Sequence, residues 1–237
     1  MPNMWTVMQK WIRALPSATA AERTRNAQLQ QEMESCVESL GSIRGLDGGD
    51  YVIAHCDLLS ANIIIQNDGK TRDVNFIDYE YATPAPAAFD LANYFSEWGG
   101  FDCDFSVLPT RKQRRDVLQH YVASYRQHQQ RRAGSAAASA ASASARTDGD
   151  ASSSAGAQDA DVDALFSQVD QYRGIPGLYW GVWALIQATI SQIDFDYASY
   201  AEVRLGEYWA YKAERDGSRA REGGETPLRE RRWAQEE

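Results

Sequence analysis

The stretch YVIAHCDLLSANIIIQNDGKTRDVNFID, Tyr51 to Asp78, decides how the rest of the chain is read. Within it YVIAH (Tyr51–His55), NIIIQ (Asn62–Gln66) and VNFID (Val74–Asp78) are short, β-branched and apolar, which predicts strands. NDGK (Asn67–Lys70) separates the last two and reads as an Asp-Gly turn, so these two strands form an antiparallel hairpin. The polar loop His55-Cys56-Asp57-Leu58-Leu59-Ser60-Ala61-Asn62 leads into that hairpin, and Asp78 closes it sixteen residues after Asn62.

On either side the apolar period lengthens to that of helices. Trp5, Met8, Trp11 or Ile12, and Leu15 recur every three or four residues before Pro16. Leu29, Met33, Val37 and Leu40 make a second stripe that stops at Gly41. After Pro84 and Pro86 come Phe89, Leu91, Ala92, Phe95 and Trp98, then a helix from Arg111 to about His128. Val162–Tyr172, Gly177–Ile193 and Ala198 to about Arg215 complete the helical set, giving an α+β, mostly α-helical fold class. Between Ala133 and Ala157, 21 of 25 residues are Ala, Ser or Gly, too small to bury and offset their ordering entropy. We therefore expect one unit, residues 1–215, interrupted by a disordered insert at about 129–161, and a charged flexible tail over 216–237.

Composition excludes several classes. The 237 residues carry 24 Lys+Arg and 33 Asp+Glu, a net charge of −9, which disfavours a surface built for nucleic acid or anionic lipid. No apolar run approaches the roughly 18 residues of a membrane span. The N-terminus lacks the basic and apolar regions of a secretory signal. Three cysteines without a CxxC pair indicate neither a disulfide framework nor a zinc site. A soluble, cytoplasmic protein is the expectation.

The loop and hairpin carry residue types suited to phosphoryl transfer. That reaction needs a group to orient a hydroxyl nucleophile, metal ions on the phosphates and neutralisation of developing charge. Asp57 on the loop can accept the hydroxyl proton. Asn62 and Asp78 can offer the hard oxygen ligands that suit magnesium. His-x-Asp alone is also what a loop histidine beside a capping aspartate gives. A metallohydrolase could use His55 and Asp57 as ligands, although the chain has only three histidines and His120 and His128 share one helix. The order His, Asp, Asn, strand, Asp is what favours a kinase-type catalytic loop.

Three blocks, HCDLLSANIII, VNFIDYEYATPAPAAFDLANYFSEWGGFDCDF and LYWGVWALIQATISQIDFDYASYAEVRLGEYW, together resemble the choline/ethanolamine kinases, in that family's order. The likeness is nearer the ethanolamine branch, where DLL follows the histidine and FIDYEYA carries the metal aspartate. The resemblance implies a protein-kinase-like C-terminal lobe whose hairpin carries the metal site. It implies transfer of the ATP γ-phosphate to an amino alcohol with Mg²⁺, giving phosphoethanolamine for phosphatidylethanolamine synthesis, with choline as the alternative substrate.

Residue by residue, it makes Asp57 the catalytic base, Asn62 and Asp78 the metal ligands, and His55 and Asp90 the supports of the loop. Glu97 resembles the acidic wall of the ammonium pocket, and Trp180, Trp183, Phe195 and Tyr200 its aromatic lining, a setting that attracts a cation. Simple core packing is the competing reading of the two tryptophans, a solvated helix-end charge that of Glu97, and a helix-start charge that of Asp90. A second copy of the chain is left open as a partner.

Three departures from the family stand out. Cys56 occupies a position where the family carries Asn or Gly, which predicts a modest rate cost. Asp102 stands where choline-preferring relatives carry an aromatic, which favours a primary ammonium. Upstream of His55 only Lys10 is a lysine, and Gly48-Gly49 is a turn pair, so the glycine loop and strand lysine that grip ATP are not recognisable. The chain reads as the C-terminal lobe alone, from a truncated gene model or a genuine fragment. A non-catalytic module that keeps an amino-alcohol pocket, or docks on a full kinase, is the reading from a different class.

Overall fold

The computed structural model describes residues 2–67, 69, 72–140 and 151–237. Helix α1 (Met4–Ala14) starts at Asn3, whose side chain accepts from the amides of Trp5 and Thr6. Helix α2 (Ala20–Leu40) starts at a Thr19–Glu22 capping box, the T-x-x-E pattern that satisfies free first-turn amides from both directions. Met4, Met8 and Ile12 of α1 face Leu29, Met33, Cys36 and Leu40 of α2 in the core. Cys36 takes the place on that stripe expected of Val37, which is exposed.

Four short strands follow. The predicted hairpin forms from β2 (Ile63–Asn67) and β3 (Arg72–Phe76), with Ile63 opposite Phe76 and Asn67 opposite Arg72. Its tip is only partly described, since Asp68, Lys70 and Thr71 lie outside the described residues. The first predicted strand, β1 (Val52–Ala54), pairs antiparallel with β4 (Thr83–Ala85), which the sequence reading did not anticipate. Pro84 at the middle of β4 hides it, because a residue without an N–H argues against a strand except at an edge. The β1–β4 pair brackets the catalytic-type loop and the hairpin, bringing residues 55–62 back beside residues 77–82.

Helix α3 (Ala87–Ser96) begins directly after Pro86 and buries Phe89, Ala92, Asn93 and Phe95. Helices α4 (Arg111–Ala140) and α5 (Ala151–Tyr172) pack against each other through Leu118, Val122, Val162 and Leu165. Both helices run into the stretch expected to be an irregular insert, in keeping with alanine's helix propensity. Its centre, residues 141–150, lies outside the described residues. Helix α6 (Ile175–Ile190) lies tightly against α7 (Tyr197–Arg215). Contact is so close that a Cβ at Gly177 would stand 2.5 Å from the Arg204 carbonyl oxygen. Among the described residues no helix is long and apolar enough to cross a membrane.

The segment expected to be a mobile tail is folded onto the body. Helices α8 (Ser218–Glu222) and α9 (Leu228–Ala234) follow α7, and Arg229, Glu230 and Trp233 of α9 are buried. The Trp233 indole donates to Asp170 Oδ1 at 2.7 Å and lies 4.1 Å beneath the guanidinium of Arg114. The carbonyls of Gln235 and Glu236 accept from Arg111 and Lys112, covering free amides at the start of α4. Charge density misled the reading: Arg229 and Glu230 are paired inside the fold, and Trp233 anchors the segment.

Candidate active site

The loop His55–Asn62 is held from below by one carboxylate. Asp90, in the first turn of α3, accepts from the backbone N–H of His55 at 2.9 Å and of Cys56 at 2.8 Å. Burial raises the Asp90 carboxyl, and those two amides oppose it. Asn93, one turn further along α3, donates to the Cys56 carbonyl at 3.0 Å. Cys56 is thereby clamped at φ 64, a left-handed conformation that favours Gly or Asn over other residues. That geometry explains why cysteine is an unusual occupant here.

His55 points the other way. Its Nδ1 accepts from the Asp57 amide at 3.3 Å, so the proton sits on Nε2, which donates to the Ile77 carbonyl at 2.9 Å. Its ring lies 4.7 Å from that of Tyr79. Asn62 ends a short 3-10 turn at the mouth of β2, and its carbonyl accepts from the Ile77 amide at 3.1 Å. This bond extends the β2–β3 ladder by one pair and brings Asp78 alongside Asn62. The Asn62 amide donates to both the carbonyl oxygen and Oδ2 of Asp57, at 2.8 and 3.1 Å. Its own oxygen is then the group left to offer.

A cavity of about 310 Å³ opens above this arrangement. Asp57, Asn62, Asp78, Glu97, Trp180, Trp183 and Tyr200, all singled out from the sequence, line it together. Phe195 is not among the lining residues; its ring packs 5.5 Å from Tyr200 and 6.0 Å from Phe101. Sequence reasoning missed Glu80, Tyr81 and Phe101, which also line the cavity. Tyr81 was legible in the YEYA run, since its hydroxyl accepts from Trp183 Nε1 at 3.0 Å and its ring meets Trp180 at 5.3 Å. The tryptophans split the two readings: Trp180 is buried and donates to Asn93 Oδ1 at 2.8 Å, while Trp183 is partly exposed.

Among the described residues four carboxylates, Asp57, Asp78, Glu80 and Glu97, line this space, and no lysine or arginine does. Burial, then Glu97, push the Asp57 carboxyl up to about 7, with the Asn62 hydrogen bond opposing them. Glu97 is no solvated helix-end charge. It is buried, and its Oε1 lies 3.0 Å from Nη1 of the equally buried Arg204. Burial still raises its carboxyl, and Arg204 counters that. Arg204 was missed although it stands one turn beyond Tyr200, whose hydroxyl it reaches at 3.2 Å.

A cavity so short of cations calls for one. Among the described residues no three His, Cys, Asp or Glu side chains cluster as a self-sufficient metal cage. Asn62 and Asp78 together supply two hard oxygens, a donor set that fits magnesium, which keeps water and phosphate in its remaining positions.

The fold is shared with solved ethanolamine and choline kinases. It is similar to the solved ethanolamine kinase of Plasmodium vivax, with a TM-score of 0.60 at 24% identity over 88% of this chain and 50% of that one. It is also similar to the choline kinase of Cryptosporidium parvum Iowa II, with a TM-score of 0.57 at 17% identity, covering 90% of this chain and 57% of that one. The sequence is 32% identical to ethanolamine kinase 1 of Mus musculus over 222 residues, 90% of this chain and 53% of the relative. It is 32% identical to ethanolamine kinase 1 of Homo sapiens over 90% of this chain and 43% of the relative. Residues 1–209 match the choline/ethanolamine kinase family. The chain belongs to that family, and it spans about half the length of the relatives it matches.

Proposed function

We propose that this chain carries the alcohol-binding and metal-binding part of an ethanolamine kinase, which moves the γ-phosphate of ATP to the ethanolamine hydroxyl. The observation that carries this reading is Asp57 at one end of an aromatic cavity that, among the described residues, holds four carboxylates and no basic side chain. A small ammonium ion satisfies that imbalance, and an alcohol bearing one presents its hydroxyl a few bonds away. The 32% identity to proteins named ethanolamine kinase favours ethanolamine over choline as the first substrate to try. We extend the same proposal to a cytoplasmic setting.

In this mechanism Glu97 and the faces of Tyr81, Trp183 and Tyr200 hold the ammonium group. Asp57 Oδ2 is engaged by Asn62, so Oδ1 takes the hydrogen bond of the hydroxyl, orients its oxygen and receives its proton. His55 and Asp90 keep the loop rigid while this happens. Asn62 and Asp78 would hold Mg²⁺, which supplies neutralisation of phosphate charge when bound.

The test is transfer of labelled γ-phosphate from ATP to ethanolamine, with choline in a parallel assay. Asp57→Asn and Asp78→Asn should each abolish phosphoethanolamine formation while leaving the circular dichroism spectrum unchanged. Turnover at the parent rate by either variant would refute the assignment.

A further inference from the structure

Glu97 stands at the inner end of an unbroken line of charges that leaves the cavity, crosses the last helix and ends at Arg173. Arg204 Nη1 holds Glu97 Oε1 at 3.0 Å, and Arg204 Nε lies 2.9 Å from Glu207 Oε1. Glu207 Oε2 in turn accepts from Arg229 Nε at 3.0 Å, and Arg229 Nη1 donates to Glu230 Oε1 at 2.5 Å. Glu230 Oε2 accepts from Arg173 Nε at 3.0 Å, where the line reaches the surface. Arg204, Glu207, Arg229 and Glu230 are each at most 5% exposed.

The signs alternate, so three guanidinium groups face three carboxylates. Only the docked α9 sets a second guanidinium, that of Arg229, against Glu207. Without Arg229, Arg204 would be the single buried cation between Glu97 and Glu207, and a buried carboxylate with no partner is expensive. Arg204 would then be drawn to Glu207, on its own helix, and would release Glu97.

We propose that Arg229 is a positioning residue for ammonium recognition: through Glu207 and Arg204 it fixes the carboxylate of Glu97 in the cavity wall. Arg229 lies beyond residues 1–209, the part that matches the family. The inference rests on the amino-alcohol reading of the cavity. Its action is indirect, since Arg229 is not among the residues that line the cavity.

The experiment titrates the full chain by calorimetry with ethanolamine and, separately, with Mg²⁺, for the parent and for Arg229→Met, Arg229→Lys and Val122→Ala. Val122 is buried in α4, away from the charge line, and its truncation controls for general softening. Arg229→Met should raise the ethanolamine dissociation constant about tenfold, with Mg²⁺ binding unchanged. Arg229→Lys keeps the charge but not the two-sided grip, and should fall between parent and Met at about threefold. Val122→Ala should bind ethanolamine as the parent does. If the Met variant does not fold, the Lys variant decides alone: a rise of that size supports the proposal, and a parent-like constant overturns it. A folded Met variant within twofold of the parent, or an equal loss in Val122→Ala, also overturns it. A parent that binds Mg²⁺ but no ethanolamine sinks the functional reading and this inference with it.

Discussion

His55 Nε2 donates to the Ile77 carbonyl across 2.9 Å, so the ring two residues before Asp57 also grips the residue before Asp78. Asp57 on the loop and Asp78 just beyond β3 are tied by one imidazole. Its other nitrogen accepts from the Asp57 amide itself.

Removing that imidazole should loosen both carboxylates together. His55→Ala is expected to cost about 1–3 kcal/mol, because the Ile77 carbonyl and the Asp57 amide lose a partner in a part-buried setting. Phosphotransfer should fall further than stability alone requires. Urea melts and initial rates on the same preparation separate the two; a variant as active as the parent would show the tie to be idle.

Asp90→Ala acts one layer deeper. It strands the amides of His55 and Cys56, and it frees Cys56 from the clamp that holds it at φ 64. A loss of about 2–3 kcal/mol in unfolding free energy is expected, more than for any exposed carboxylate on the chain. Chemical denaturation measures it, and a change below about 0.5 kcal/mol would contradict the clamp.

Acidity should show itself in melting temperature. The Asp57 carboxyl, ordinarily near 3.8, is held up at about 7 in the folded chain. A group raised on folding contributes stability that is complete below its unfolded value and lost as pH climbs through the folded one. Without metal the protein should therefore melt lower at about pH 8 than at about pH 5.5, and Asp57→Asn should flatten that slope. Magnesium should restore more at the higher pH. Differential scanning fluorimetry at the two pH values checks all three, and an unchanged slope in Asp57→Asn would remove Asp57 as its source.

Gly177→Ala probes the seam between α6 and α7. The added methyl meets the Arg204 carbonyl at 2.5 Å and the Glu207 Cβ at 2.9 Å, both on α7. Pushing the helices apart should cost about 1–3 kcal/mol. Because the seam joins the tryptophan wall to Arg204, ethanolamine KM should rise as well. Thermal melts and steady-state kinetics report the two effects, and a melt equal to the parent's would show that the seam can open freely.

Local chemistry carried much of this into the sequence. Asp57, Asn62 and Asp78 were readable because loop, strand and turn residues bring them together within 22 positions, where register leaves little choice. The stripe of α1 was readable for the same reason. Pro84 concealed β4, since the strand exists only by pairing with Val52–Ala54 far earlier in the chain. The charge line through Arg204 and Arg229 was not legible because the links Glu97–Arg204 and Glu207–Arg229 cross between elements, and only Arg204–Glu207 is local, at i,i+3. The last helix was lost to the same cause, its tryptophan outweighed by the arginines around it.

Asn93 ties together two features that an engineer would wish to alter separately. It donates to the Cys56 carbonyl at 3.0 Å and accepts from the Trp180 indole at 2.8 Å, so a single fully buried amide couples the reacting loop to one wall of the substrate chamber. Enlarging the chamber for a bulkier alcohol by trimming Trp180 would orphan that amide and unsettle the loop. Trp183 and Phe101 border the same chamber without a bond to the loop, and they are the positions from which specificity can be retuned.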